Sequence, residues 1–127
     1  MRILSWNIRG CNNILKKRLL RRKVEIEKLT IVFLQETKCS EEDLKQVAKK
    51  SWRSCEVIEM DATRAAGGLG ILWDPKVVSL DDFRATHFHI SAAFHILGTG
   101  IRGMVTNIYR PSTMTNKKNL LDSLNWL

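Results

Sequence analysis

A chain of 127 residues, 44% apolar and 27% charged, has room for one domain at most and the composition of a folded protein, which argues against disorder. Its 21 Lys and Arg against 13 Asp and Glu leave a net charge of +8, so polyanions are the natural partners, and charge alone leaves nucleic acid and an anionic membrane surface both open. Cys11, Cys39 and Cys55 lack any close-pair metal spacing and read as reduced thiols; with no stretch of membrane-spanning length and no signal-peptide core, an intracellular protein without a membrane partner is expected.

Residues 2–8 read as a short buried strand that ends in the amide of Asn7, followed by a Gly10-Cys11-Asn12-Asn13 turn. From Ile14 to Leu29 the apolar residues Leu15, Leu19, Leu20, Val24 and Ile26 fall near helical spacing. Lys16, Lys17, Arg18, Arg21, Arg22 and Lys23 fill the other faces, either as the wet side of an amphipathic helix or as a grip on DNA phosphates. Residues 30–36 form a second strand, and its run Ile31-Val32-Phe33-Leu34-Gln35 delivers the carboxylate of Glu36 to its C-terminal end. Two strands joined through a helix are parallel neighbours, so Asn7 and Glu36 should meet at one sheet edge. A carboxylate beside an amide is a hard oxygen site suited to Mg²⁺, which takes one or two carboxylates plus water and phosphate. Ser40-Glu41-Glu42-Asp43 has the form of a capping box and opens a helix to about Lys50, with Leu44, Val47 and Ala48 inward.

Glu56 to Asp61 reads as a strand, and Gly67-Gly68-Leu69-Gly70-Ile71-Leu72-Trp73 as a glycine-led strand ended by Asp74-Pro75. Those glycines lack the strand–loop–helix setting of a dinucleotide site and imply a close-packed strand entry. Phe88, Ile90, Ala92, Phe94 and Ile96 alternate with His87, His89, Ser91, Ala93 and His95, the pattern of a half-buried antiparallel strand. The three histidines then lie on its solvated face, with no acid or cysteine beside them to complete a zinc site. Leu97-Gly98-Thr99-Gly100 turns the chain into a strand over Gly103–Tyr109 that stops at Pro111. Thr115 or Asn116 could cap a last helix carrying Leu120, Leu121, Leu124 and Leu127, and the chain stops within that pattern.

Taken together, Ser5-Trp6-Asn7, Leu34-Gln35-Glu36-Thr37-Lys38, Gly67-Gly68-Leu69-Gly70-Ile71 and Asn107-Ile108-Tyr109-Arg110-Pro111 resemble the endonuclease/exonuclease/phosphatase superfamily. The similarity is greatest to the apurinic-type endonuclease module of LINE-type (non-LTR) retrotransposon proteins, and residues 1–127 match its N-terminal half. The resemblance implies an α/β fold, a four-layered sandwich of two mixed sheets with helices outside, truncated here at the C-terminal side. One mixed sheet with flanking helices is then expected, its partner sheet missing. Ile3 and Ser5, or Val32 and Leu34, would line an uncovered face open to self-association, while Leu4, Trp6, Ile31 and Phe33 lie under the helices.

By the same resemblance Glu36 would be a ligand of Mg²⁺ or Mn²⁺. Asn7 would orient the metal-site groups and the scissile phosphate, and Tyr109 would donate a hydrogen bond to that phosphate. Lys16, Lys17, Arg18, Arg21 and Arg22 would contact nucleic acid, DNA being the partner and the nucleus the compartment of the parent element. The family's later Gly-Asp-x-Asn motif and its C-terminal Asp-His pair have no counterpart in these residues, and Ser112 stands where the frequent Tyr-x-Pro-Asn pattern has asparagine. The expected function is therefore that of a fragment of a Mg²⁺-dependent DNA endonuclease, inactive by itself. The alternatives are a non-catalytic basic remnant that binds nucleic acid and a phosphatase-type branch of the same superfamily.

Overall fold

The apolar runs do become strands, and the periodic segments between them become helices. The computed structural model describes residues 1–60 and 67–109; the last predicted helix, Asp61 and the Arg110-Pro111-Ser112 stretch lie outside them. In chain order the elements are β1 (Ile3–Asn7), α1 (Ile14–Glu27), β2 (Ile31–Gln35), α2 (Glu41–Ser51), β3 (Glu56–Met60), β4 (Leu69–Trp73), β5 (Val78–Ala85), β6 (His89–Ile96) and β7 (Arg102–Ile108). The first sheet has the order β1-β2-β4-β3, with β1 and β2 parallel and the other pairs antiparallel; the second has the order β5-β6-β7. The class is α/β, as expected.

Helix α2 forms as its sequence dictates. Ser40 Oγ accepts from the Asp43 N–H at 3.1 Å, three acids occupy the first turn, and Lys49 and Lys50 occupy the last, each end matched to the helix dipole. Leu44, Val47 and Ala48 are buried, as their spacing requires. Helix α1 starts at an Asn13 cap and ends at Lys28, which takes the left-handed conformation. Here the expectation needs correction. Only Leu20 and Val24 are buried, while Leu15, Leu19 and Ile26 are 62%, 48% and 69% exposed. At 3.6 residues per turn these three lie roughly 120–160° around the helix from the Leu20–Val24 row, too far to reach the sheet.

Two apolar clusters share the first sheet as a common wall. On one face Val32, Leu34 and Leu72 pack with Leu20, Val24, Leu44, Val47 and Ala48 of the helices, and Leu4 and Trp6 join them. On the other face Ile31, Phe33, Leu69, Ile71 and Trp73 pack with Val78, Leu80, Ile90, Ala92 and Val105 of the second sheet. Two expectations are overturned by this arrangement. The partner sheet is not missing, because the chain turns back after Trp73 and its next strands cover the inner face of β2 and β4. The assignment of faces on β2 is also reversed: Leu4 pairs with Val32 and Trp6 with Leu34, so Val32 and Leu34 lie under the helices, and Ile31 and Phe33 face the second sheet. Among the described residues, the part of that inner face left open is β1, where Ile3, Ser5 and Asn7 are exposed.

Strand β5 is an element that alternation did not reveal. Its period breaks where the register with β6 shifts between Asp81 and Arg84 and Asp82 takes a φ of 51°, a bulge that bends the strand. The histidines also depart from the expected solvated face: His87 is exposed and His95 half-buried, with its Nε2 at 2.7 Å from the Thr99 carbonyl, but His89 is fully buried.

Candidate functional site

Strand register brings the first two predicted residues together. Asn7 ends β1 directly beside Gln35, and Glu36 is the next residue of β2's chain. The loop that follows β1 continues the pairing beyond the sheet: the N–H groups of Ile8, Gly10 and Cys11 donate to the carbonyls of Gln35, Glu36 and Thr37 at 3.0, 2.7 and 3.0 Å. On the other side the N–H groups of Thr37 and Lys38 donate to the carbonyls of Gly68 and Gly67 at 3.3 and 2.6 Å. Glu36 is thus carried by backbone held on both flanks, with its side chain half-exposed. Arg9, Glu36 and Lys38 all have left-handed φ values, of 52° each, a conformation that costs an L-residue about 1–2 kcal/mol and recurs at functional sites.

The paired glycines serve this packing. Gly67, at φ 78°, lies so close to Glu36 that a Cβ would sit 3.1 Å from its Cγ and 3.2 Å from its Cα. A Cβ on Gly68, at φ 93°, would meet Thr37 Oγ1 at 2.2 Å, so neither position tolerates a side chain. The expected close-packed strand entry is what the glycines provide, and its neighbour is the Glu36 segment.

Tyr109 comes to the same end of the sandwich through Asn107, a residue outside the predicted site. Asn107, fully buried near the end of β7, donates from Nδ2 to the carbonyls of Leu34 and Gly70 at 3.0 and 2.8 Å. Its Oδ1 accepts from Gln35 Nε2 at 2.7 Å, and that nitrogen also lies 3.0 Å from Ser5 Oγ. One amide therefore fastens β7 to β2 and β4 directly beneath Glu36, with every strong donor and acceptor it owns in use. The signal was present: Val105, Asn107 and Tyr109 share one strand face, and a polar residue on a buried face is seldom idle. Tyr109 follows two residues on, packs partly against the inter-sheet cluster, and is pinned by its N–H to the Phe88 carbonyl at 2.7 Å.

Of the five cations expected to meet nucleic acid, Lys16 turns its ammonium onto the loop after β1, reaching the carbonyls of Ile8, Arg9 and Gly10 at 2.5, 2.9 and 3.4 Å. Arg18, Arg21 and Arg22 are exposed and Lys17 half-buried. Cys11 and Cys39 hydrogen-bond to each other behind the site, and Cys39 Sγ lies 3.9 Å from Glu59 Oε2; burial, foremost, raises both thiols and keeps them protonated. They are therefore poor nucleophiles. A cavity of about 400 Å³, lined by Glu41, Ile58, Glu59, Met60, Phe83, Ala85 and Ile90, opens on the β3 side, and none of Asn7, Glu36 and Tyr109 lines it.

The donor set limits what ion could be held. Among the described residues no three or more His, Cys, Asp or Glu are arranged so that they could hold a metal ion, so a metal caged by protein alone does not fit there. One half-exposed carboxylate near an exposed amide does fit an ion whose remaining positions go to water and phosphate, which is magnesium chemistry. No family profile and no curated protein matches the chain. Solved structures do. Humanized D. rerio TDP2 carrying 14 mutations aligns at a TM-score of 0.65 and 20% identity over 97% of this chain and 54% of its own. The endonuclease domain of TRAS1, a telomere-specific non-LTR retrotransposon, gives 0.67 and 13% over 97% and 52%. The AP endonuclease LMAP from Leishmania major gives 0.60 and 17% over 98% and 43%. The chain spans about half the length of these structures, and over that span it shares their fold.

Proposed function

We propose that this chain is the N-terminal half of a Mg²⁺- or Mn²⁺-dependent phosphodiesterase of the DNA-endonuclease type, derived from a non-LTR retrotransposon. The observation that carries the reading is the convergence of Asn7, Glu36 and Tyr109 at one end of the sandwich, on the fold shared with a retrotransposon endonuclease domain and an AP endonuclease. Glu36 is the metal ligand. Bound there, a divalent ion supplies Lewis-acid stabilisation of negative charge on a phosphate oxygen. Asn7, whose amide both donates and accepts, orients the phosphate and the carboxylate. The Tyr109 phenol donates to a phosphate oxygen as its charge grows, an interaction that is strongest in the transition state. The exposed cations of α1 hold the DNA backbone, and the parent element works in the nucleus.

Hydrolysis by in-line attack also needs a group to position and activate water, and general acid–base help of that kind is worth roughly 10²–10⁴-fold. The 127 residues carry neither a Gly-Asp-x-Asn motif nor an Asp-His pair to do so. The purified chain is therefore expected to leave supercoiled and abasic-site DNA intact in Mg²⁺. Nicking that survives purification and disappears in Glu36→Ala would overturn the inactivity and uphold the site; nicking untouched by Glu36→Ala would overturn both.

A further inference from the structure

The first turns of α1 and the end of α2 enclose a shallow cavity of about 110 Å³, lined by Ile14, Lys17, Arg18, Arg21, Lys50 and Ser51. Four of these six are cations and none is an acid. Three come from one face of α1, which a solvated helix would explain. Lys50 comes from a different helix, and a solvated face of α1 has no need of it. The helices are fixed at this crossing: buried Ser51 places its Oγ 3.3 Å from the Lys17 carbonyl while also bonding the Val47 carbonyl at 3.1 Å. Lys17 is half-buried beside that contact, so its stem is held. Arg21 bonds Glu25 at 3.2 Å, but both side chains are more than 60% exposed, 65% and 63%, and such a pair is weak enough to yield to another anion.

Four cations around one concavity repel one another, and an anion in their midst relieves that repulsion. Lys16, the residue before Lys17, grips the loop leaving Asn7 with its ammonium, which ties the first turn of α1 to the end of β1. We infer that the α1–α2 groove binds a phosphate of a nucleic-acid backbone, with Lys17, Arg18, Arg21 and Lys50 as its contacts. The inference rests on the nucleic-acid reading above and adds a specific place, and one cation from outside α1, to it. Phosphate is also carried by free anions, so the two sources must be separated by experiment.

The test is the affinity of the chain for a labelled DNA duplex across a salt series, compared with Lys50→Ala, Lys17→Ala and, as an exposed cation outside α1 and the groove whose loss should leave the slope unchanged, Lys76→Ala. Each lost phosphate contact lowers the magnitude of the log K against log salt slope by about 0.9. Lys50→Ala, an exposed change that leaves the packed core untouched, is expected to show that drop, as is Lys17→Ala. Duplex binding that persists with an unchanged slope in Lys50→Ala overturns the groove and leaves the nucleic-acid reading standing. No duplex binding at any salt overturns both. Inorganic phosphate raising the melting temperature of the chain but not of Lys50→Ala, without duplex binding, overturns the nucleic-acid source.

Discussion

Strands β1 and β2 are parallel neighbours that each end in a candidate site residue, yet they are held in opposite ways. All five residues of β2 are buried; it has a hydrogen-bonded strand on both sides, helices over one face and the second sheet over the other. Strand β1 has one neighbour among the described residues, and Ile3, Ser5 and Asn7 alternate with half-buried Leu4 and Trp6 as its exposed positions. Full burial of a large aliphatic or aromatic side chain contributes about 1.5–3 kcal/mol, so β2 carries several such contributions and β1 few. Glu36 therefore follows a strand held on both edges and both faces, and Asn7 stands on an open edge. Under the proposed function this division is useful: a carboxylate meant to hold a metal in fixed geometry gains from the rigid base, whereas an amide meant to meet substrate can sit where substrate enters.

That contrast can be broken most forcefully at Asn107. Asn107→Ala removes the amide that joins β7 to β2 and leaves the Leu34 and Gly70 carbonyls and the Gln35 side chain without their partner. Unsatisfied buried groups cost about 1–3 kcal/mol each, so a loss of about 3 kcal/mol or more is expected in denaturant unfolding. A loss below 1 kcal/mol would mean that the closed side of the sheet does not depend on this network.

A second effect comes from the buried thiol that precedes β3. Burial lifts Cys55 from 9.0 to about 11. A group that holds its proton more tightly when folded contributes stability that is complete below pH 9 and is lost as pH rises from 9 through 11. The slope is at most about 1.4 kcal/mol per pH unit for one proton. Stability measured by denaturant at stepped pH should fall in that window, and the fall should be shallower in Cys55→Ala. An unchanged slope in that variant would assign the loss to other groups.

The smallest change belongs to the open strand. Ser5→Ala removes one hydrogen bond to Gln35 at an exposed position, and the expected loss is under about 1 kcal/mol. If Ser5→Ala costs as much as Asn107→Ala, β1 is not the loosely held partner described here.

Much of this was legible in the sequence. Helix α2 announced its cap, its charges and its buried face, and the helix between the first two strands announced that Asn7 and Glu36 stand at neighbouring strand ends. What was not legible has identifiable causes. Ile31-Val32-Phe33-Leu34 is apolar at every position, so nothing in the sequence says which two residues face the helices; only the register with β1 does. Strand β5 was concealed by the bulge at Asp81–Arg84, which interrupts its alternation. Leu15, Leu19 and Ile26 have helical spacing of their own, so periodicity alone does not separate them from Leu20 and Val24, though they lie on another face. The role of Asn107 depends on partners 37 to 73 residues away in sequence, which only the packing of the two sheets brings together.

The central claim, that Asn7, Glu36 and Tyr109 surround one divalent-ion and phosphate site, is tested most directly by adding substoichiometric Mn²⁺ to the isotopically labelled chain and reading which backbone amide signals broaden. The account predicts broadening centred on Asn7, Ile8, Glu36, Thr37 and Tyr109, reversed by excess Mg²⁺ and absent in Glu36→Gln. Broadening that survives Glu36→Gln, or that centres instead on the Glu41 and Glu59 cavity, would contradict it.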